Sequence, residues 1–263
     1  MNRKFIRLLL SIIAMTALSA ECTGGGSDLK IYAVRYGRSM FQNKFVFYGD
    51  KSGGTVPFSW MFYYLEYGDK KILIDTGFND PKMAGMFGIT DFKDPVLILK
   101  DNGINADQIT DVIITHSHFD HIGNAHRFKN ARFIINKDEL AGLNKGKSQG
   151  EVKKFLSVNS KLESFDDSYL LYNMFNIKKT GGHTQGSSVV FFKYGNKEYC
   201  FSGDEVYLMD NFAKNIGNGT VYNHGNNMGF IDLINKGDYR LFIFHDNRYL
   251  SPKERFIKVF PAE

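Results

Sequence analysis

The chain has 263 residues, of which 43% are hydrophobic and 15% aromatic, with 33 Lys and Arg against 28 Asp and Glu. This is ample apolar material for a large buried core, and no low-complexity tract or obvious interdomain linker divides the chain. Length and composition therefore favour a single enzyme-sized domain.

The N-terminal segment predicts export from the cytoplasm. Basic residues at Asn2-Arg-Lys4 and Arg7 precede the apolar run Leu8 to Ala20, which is too short for a convincing membrane-spanning helix. We interpret residues 1–21 as a signal peptide and 22–28 as a flexible tether, which makes the protein periplasmic or secreted. Two processing routes stay open. Leu18-Ser-Ala20 suits signal peptidase, whereas Leu18–Cys22 forms a loose lipobox that would make Cys22 a lipid anchor.

The chain after the predicted signal peptide, residues 22–263, carries 30 Lys and Arg against 27 Asp and Glu, a net charge of +3. This charge is too small to indicate nucleic acid as a partner. Apolar and β-branched runs predict strands at Leu29–Arg35, Phe58–Tyr67, Lys71–Asp75, Asp111–Thr115, Arg132–Asn136, Ser187–Lys193, Glu198–Ser202 and Arg240–His245. Helices are predicted at Pro95–Asp101, Lys137–Leu143, Gly150–Val158 and Met228–Asn235. The alternation indicates an α/β fold with two mixed sheets packed together and helices outside.

A cluster of metal-ligand residues follows the fourth predicted strand, in the run Thr115-His-Ser-His-Phe-Asp-His121. His116 and His118 are two residues apart, so both side chains can face one metal ion. Asp120 and His121 follow at once and can turn to a second. Three histidines and an aspartate within six residues rarely arise from packing needs, so this run predicts a metal site.

Three more ligand-type residues occur singly at turns or strand ends. His183 lies in the glycine-rich Gly181-Gly-His-Thr-Gln-Gly186, Asp204 ends Tyr199–Asp204, and His245 ends Leu241–His245. The full set of five imidazoles and two carboxylates is typical of a hydrolase with two divalent metal ions. Nitrogen and oxygen ligands suit Zn²⁺, which is the default expectation, and also Fe, Mn or Co.

These motifs resemble those of the metallo-β-lactamase superfamily. His116-Ser-His-Phe-Asp-His121 is similar to its His-x-His-x-Asp-His signature, and Leu73–Gly77, Gly182–Ser187 and Ser202–Asp204 resemble three further segments. The resemblance covers about residue 29 to the end and implies an αββα four-layer sandwich. It implies that His116, His118 and His183 bind one metal, that Asp120, His121 and His245 bind the other, and that Asp204 bridges both.

Within the superfamily, the chain resembles the N-acyl homoserine lactonases. The best-known β-lactamases place a cysteine in the second site, but Cys200 lies in mid-strand and is read as a buried structural thiol. The spacings of 62, 21 and 41 residues between His121, His183, Asp204 and His245 are similar to those of the lactonases. Tyr207 takes the place of their tyrosine three residues after the bridging aspartate. Only 18 residues follow His245, which argues against glyoxalase II.

The resemblance implies hydrolysis of a small-molecule lactone or ester, most simply the ring opening of N-acyl homoserine lactones by a hydroxide shared between the metals. Tyr207 would donate a hydrogen bond to the substrate oxygen, and Asp120 would carry a proton to the leaving alkoxide. Two alternatives stay open: another hydrolase of this fold (thioesterase, phosphodiester or organophosphate hydrolase, β-lactamase), or a non-catalytic metal-binding surface protein. The oligomeric state is left open.

Aromatic-rich segments are the only sign of a substrate pocket. They are Phe41–Tyr48, Ser59–Tyr64, Tyr169–Phe175 and Tyr207–Phe212, and they would favour an acyl chain if they line a pocket, or else form ordinary core. Lys51–Gly54 is predicted to be a mobile loop tip. Neither His126 nor His224 matches a ligand position. We interpret His126 as structural or as a residue that supports a ligand from behind, and His224 as a surface-loop residue.

Overall fold

The computed structural model describes residues 29–248 and 253–261. The predicted signal peptide, 1–21, and the tether with Cys22, 22–28, lie outside the described residues. The strands are β1 Lys30–Gln42, β2 Thr55–Tyr67, β3 Lys70–Ile74, β4 Asp111–Ile113, β5 Arg132–Asn136, β6 Leu162–Phe165, β7 Ser168–Leu171, β8 Phe175–Lys179, β9 Ser188–Tyr194, β10 Lys197–Phe201, β11 Tyr239–Phe242 and β12 Phe256–Phe260. The helices are α1 Asn43–Val46, α2 Pro81–Met86, α3 Pro95–Asp101, α4 Phe119–Ile122, α5 Lys137–Lys145, α6 Gly150–Val158, α7 Met209–Ala213 and α8 His224–Lys236. Within the described part of the chain, no helix has the length and apolar character needed to cross a membrane.

The strands form two mixed sheets. The larger sheet has the order β12-β1-β2-β3-β4-β5-β6, and the smaller has the order β11-β10-β9-β8-β7. In the larger sheet, β3 to β6 are parallel to one another and the other pairs are antiparallel. In the smaller sheet only β10 and β11 are parallel.

Three apolar clusters separate four layers. One face of the larger sheet packs against residues of α2, α3, α5 and α6, such as Leu99 and Leu156. The opposite face packs against the smaller sheet through residues such as Ile74 and Phe201. The outer face of the smaller sheet is covered by Ile231 and its neighbours on α8. The predicted αββα sandwich of two mixed sheets with helices outside is therefore confirmed.

The sequence located most elements but not all of them. The bounds of α3 and α6 are those predicted, whereas β1 continues seven residues beyond the predicted end at Arg35. The prediction missed β6, β7, β8 and β12, because these strands have four or five residues and carry partly exposed polar positions that weaken the apolar signal. His224 was wrongly placed in a surface loop, since it begins α8 and stacks on Tyr48 with ring centroids 3.7 Å apart.

Two parallel strand pairs carry functional residues to one edge of the sandwich. Pairing of β3 with β4 and of β10 with β11 places the carboxyl ends of each pair side by side. The segments that follow contain Asp75, the run from His116 to His121, Asp204 and His245. The two hairpins that lead to Asp75 and Asp204 also share a two-residue turn, at Gly68-Asp69 and Gly195-Asn196.

Candidate metal centre

All seven predicted ligand residues lie at this edge, in two adjoining groups. In the first group, His118 Nδ1 lies 3.0 Å from His116 Nε2 and 2.9 Å from His183 Nε2. Asp204 Oδ2 lies 3.5 Å from both Nε2 atoms. Nitrogen ligands on a tetrahedral Zn²⁺, with bonds of about 2.0–2.1 Å, would lie roughly 3.3 Å apart. The first group therefore has the dimensions of a metal site.

The second group consists of Asp120, His121 and His245. His121 Nε2 lies 3.4 Å from Asp120 Oδ2, and His245 Nε2 lies 3.9 Å from the same oxygen. Asp204 also faces this group, since its Oδ2 lies 3.3 Å from His121 Nε2 and its Oδ1 lies 3.1 Å from His245 Nε2. Asp204 thus has the central position that a bridging ligand needs.

Unsatisfied polar atoms indicate that this centre is built for metal ions. His121 Nε2, His245 Nε2 and Asp204 Oδ1 are buried and have no hydrogen-bond partner. An orphaned buried polar atom is costly unless another ligand satisfies it. Three such atoms converging from separate segments fit a bound cation. The fold therefore has a dinuclear metal-binding site with these histidines and aspartates as candidate ligands.

Charge inside the centre favours a cation as well. Burial alone would raise the pKa of Asp204, but the neighbouring His121 and His245 hold that pKa well below its usual range. Burial lowers the pKa of His116 well below its ordinary value, so its imidazole is neutral. For His121 burial acts in the same direction, but Asp204 and Asp120 outweigh it and raise the pKa well above the ordinary value. The carboxylates thus favour positive charge at this position, which a bound metal ion would supply.

Hydrogen bonds to the outer ring nitrogens fix the orientation of the imidazoles. His121 Nδ1 donates to Asp75 Oδ2 at 2.7 Å, and His245 Nδ1 donates to the backbone oxygen of Ser59 at 2.8 Å. His183 Nδ1 donates to the backbone oxygen of Thr220 at 3.1 Å. A ring that donates through Nδ1 leaves the lone pair of Nε2 for a metal. Three of the candidate ligands are therefore held in the tautomer that metal binding requires.

An aromatic cavity of about 340 Å³ opens beside the metal centre. It is lined by His118, Asp120, Asp204 and His245 from the centre, and by Tyr207 and Thr220. Its other lining residues are Phe41, Phe45, Phe58, Trp60, Phe87 and Phe119. Among these described lining residues there is no Lys or Arg. The cavity therefore suits an apolar, uncharged substituent next to the metals.

Residues from the predicted aromatic segments divide between the cavity and other places. Tyr207 lies beside the centre, with its ring centroid 5.6 Å from that of His183 and 5.5 Å from that of His245. Burial raises the pKa of Tyr207 well above its ordinary value, so its hydroxyl keeps the proton. Tyr169 and Tyr172 instead contact Glu163 and Asp111 and do not line this cavity.

Other polar residues have positions that the sequence left open. His126 lies in a short 3₁₀ helix, 3.5 Å from Glu151, and lines a neighbouring cavity of about 570 Å³. Lys51–Gly54 is the last part of the connection from α1 to β2, and three of its four residues are exposed. The mobility of this segment stays a prediction. Thr184, which directly follows His183, donates a hydrogen bond from its hydroxyl to Glu139 Oε2.

Three buried carboxylates behind the centre were not assigned a role from the sequence. Asp75 accepts hydrogen bonds from Thr115 N, Thr115 Oγ1 and His121 Nδ1. Glu205 Oε1 accepts from the backbone amides of Gly182 and His183 at 3.1 and 3.0 Å. Glu139 bonds to the loops on both sides of the first group. Asp75 and Glu205 adjoin recognisable motifs, which mark their positions but not their hydrogen-bond partners, whereas nothing local marks Glu139.

Comparison with known families agrees with this geometry. The sequence pattern of the metallo-beta-lactamase superfamily matches residues 59–244, which contain six of the seven candidate ligands. The chain belongs to this superfamily. It is an enzyme of a metal-dependent hydrolase class whose relatives include lactonases, which act on ester bonds.

Individual relatives are similar over most of their length. An N-acyl homoserine lactonase from Bacillus sp. is 25% identical over 201 residues, which cover 71% of this chain and 80% of the relative. N-acyl homoserine lactonase AiiA from Bacillus thuringiensis subsp. kurstaki is 24% identical over 202 residues, with the same coverage. The crystal structure of a quorum-quenching N-acyl homoserine lactone lactonase superimposes with a TM-score of 0.73 at 22% identity, covering 87% of this chain and 98% of the other. The structure of the hydrolase AbOPH superimposes with a TM-score of 0.64 at 19% identity, covering 88% and 94%.

The contact between Asp75 and His121 generates a testable prediction. Asp75 has a backbone φ of +64°, a region that asparagine tolerates, so Asp75→Asn should keep the fold. The variant loses the negative acceptor that orients His121. We expect one of the two metal equivalents to bind about 10- to 100-fold more weakly, measured by competition with a chromophoric chelator.

Asp91→Asn is the matched control. Asp91 also has a positive φ, +54°, but its carboxylate pairs with Arg38 and lies away from the metal centre. This variant should bind both metals like the parent protein. Parental metal affinity in Asp75→Asn would show that the Asp75 contact does not orient His121.

Proposed function

We propose that the protein is a dinuclear metal-dependent lactonase that opens the ring of N-acyl homoserine lactones or closely similar lactones. The observation that carries this proposal is the aromatic cavity that adjoins the two ligand groups and contains Tyr207. The lactonase relatives support the same substrate class. The prediction that the protein is exported, with Cys22 as one candidate lipid anchor, is kept as part of the proposal.

The cavity lining favours a neutral ester over an anionic substrate. A phosphodiester or a β-lactam antibiotic carries a negative charge, which the site that binds it must neutralise. The described lining residues include no Lys or Arg, so only the metals would supply positive charge there. Six aromatic side chains instead offer apolar surface, which would favour an acyl chain by roughly 0.8 kcal/mol per buried methylene group.

The residues of the centre have distinct parts in the proposed reaction. Zn²⁺ ions, the metals we propose, would activate a water molecule and polarise the ester carbonyl when bound. Tyr207, which keeps its proton, would donate a hydrogen bond from its hydroxyl to the oxyanion that forms as the carbonyl carbon becomes tetrahedral. The bond between the carbonyl carbon and the ring oxygen then breaks. The Asp120 carboxylate would take one proton from the attacking water and pass it to that ring oxygen, so the products are an alcohol and a carboxylic acid, which ionises and releases the second proton.

A panel of substrates tests the proposal. The metal-loaded protein would be incubated with each of six substrates: a long-chain and a short-chain N-acyl homoserine lactone, a γ-lactone, a thioester, a phosphodiester and a cephalosporin. Hydrolysis would be measured as acid release. We expect turnover of the N-acyl homoserine lactones, faster for the long chain, and its loss in Asp204→Asn. Turnover of the phosphodiester or thioester alone would favour another hydrolase of this fold. Bound metal without turnover of any substrate would favour the non-catalytic alternative.

Removal of the Tyr207 hydroxyl tests its proposed role. A hydrogen bond to a charged group contributes about 1.5–3 kcal/mol, so Tyr207→Phe should lower kcat about 10- to 150-fold with little change in metal content. Tyr222→Phe is the control, because Tyr222 is 64% exposed. Equal kcat values for Tyr207→Phe and the parent would exclude the tyrosine from catalysis.

Phe87 tests whether the aromatic cavity holds the acyl chain. Phe87 lines the cavity near the end of α2, whereas the adjacent Met86 is 75% exposed. Phe87→Ala should lower kcat/KM for a decanoyl lactone by about tenfold, the effect of roughly one to two methylene groups of lost contact, and change it little for a butanoyl lactone. Met86→Ala should leave both values as in the parent. An equal loss for both chain lengths would place the acyl chain elsewhere.

A further inference from the structure

Glu139 is a buried carboxylate that is not a candidate metal ligand but accepts four hydrogen bonds beside the first ligand group. It lies in the first turn of α5 and is 4% exposed. Its Oε1 accepts hydrogen bonds from Ser117 N at 2.7 Å and Ser117 Oγ at 2.5 Å. Its Oε2 accepts from Thr184 Oγ1 at 2.5 Å and Gly186 N at 3.1 Å. Four donors surround one carboxylate, and their hydrogen bonds compensate the cost of its burial.

The partners of Glu139 adjoin three ligands of the first group. Ser117 separates His116 from His118, and Thr184 directly follows His183. The segments that contain His118 and His183 are 65 residues apart in the sequence, and one side chain bonds to both. Glu139 therefore fixes the distance between the two halves of the first ligand group, although it contacts no ligand side chain itself.

Close packing leaves this contact little freedom. A Cβ atom added to Gly186 would lie 2.3 Å from Glu139 N and 2.7 Å from Asn136 Oδ1. Asn136 in turn caps α5 by accepting from Asp138 N. The backbone of the His183 turn therefore lies directly against the start of α5, where Glu139 is anchored.

We propose that Glu139 is a positioning residue that sets the metal affinity of the first ligand group, independently of Asp75, which orients His121 in the second. The orientation of metal ligands by outer hydrogen bonds typically changes affinity 10- to 100-fold. The proposal concerns metal binding and does not depend on the lactone substrate. A negative result in the metal titration can therefore be distinguished from a negative result in the substrate panel.

The test uses Glu139→Gln in the full protein. The amide has the same size, but its NH₂ group must face a donor of Ser117 or of Gly186, and the negative charge is lost. Metal-stripped protein would be titrated with Zn²⁺ against a chromophoric chelator, and with Co²⁺ to record the absorption bands of each equivalent. We expect one equivalent to bind about 10- to 100-fold more weakly with altered Co²⁺ bands, while the other equivalent stays within a factor of about three.

Asp138→Asn is the matched control, because Asp138 is the neighbouring carboxylate on α5 and pairs with Lys179. It should bind both metals like the parent. Asp75→Asn identifies the second equivalent: the proposal requires that Glu139→Gln and Asp75→Asn weaken different equivalents and that the double variant weakens both. Weakening of the same equivalent by both variants, or parental binding in Glu139→Gln, would overturn it.

A purely structural role predicts a different result. In that case the metal-free Glu139→Gln protein would unfold at a clearly lower temperature and both metal equivalents would weaken together, which would overturn the proposal. If Glu139→Gln does not fold, Thr184→Val removes one partner and leaves the carboxylate in place. That variant should weaken the same single equivalent to a smaller degree, and unchanged binding of both equivalents would overturn the proposal.

Discussion

Buried negative charge is the constraint on which the rest of this structure depends. Five carboxylates around the histidine cluster are at most 8% exposed: Asp75, Asp120, Asp204, Glu139 and Glu205. Removing a carboxylate from water costs several kcal/mol unless donors or cations compensate. Here Asp120 and Asp204 face imidazoles, Asp75 faces an imidazole and Thr115, and the two glutamates face backbone amides and hydroxyls. The loops are held in the arrangement that satisfies these groups.

The sheets make this concentration of charge possible. Each parallel pair ends at the same edge, so loops from both sheets meet there without a long connection. The reciprocal contact between His245 and Ser59 then joins the smaller sheet to β2 of the larger one, because Ser59 N donates to His245 O while His245 Nδ1 donates to Ser59 O. The metal centre is thus part of the interface between the sheets.

The superfamily and the substrate rest on different parts of the molecule. The superfamily follows from the ligand motifs, the αββα layers and the matched sequence pattern. The substrate proposal rests on the side chains that surround the open side of the centre, chiefly Tyr207, the aromatic rings of β1, α1, β2 and α4, and Phe87 directly after α2. Solved hydrolases with 16–22% sequence identity to this chain show that the fold is shared, but not which substrate is bound. The substrate that the cavity accepts depends on this chain's own side chains.

The sequence by itself determined the candidate ligand set and the layered α/β fold, because each leaves a local signal: clustered histidines, and apolar strands that alternate with helices. It also located α3 and α6, whose starts are marked by proline or by an acidic first turn. Short edge strands such as β7 gave no such signal, since pairing with a neighbour and not their own composition makes them strands. The roles of Glu139 and Glu205, and the division of aromatic residues between cavity and core, were decided only by the tertiary structure. Their partners are 18 to 47 residues away in the chain, and no local pattern encodes a contact over such a separation.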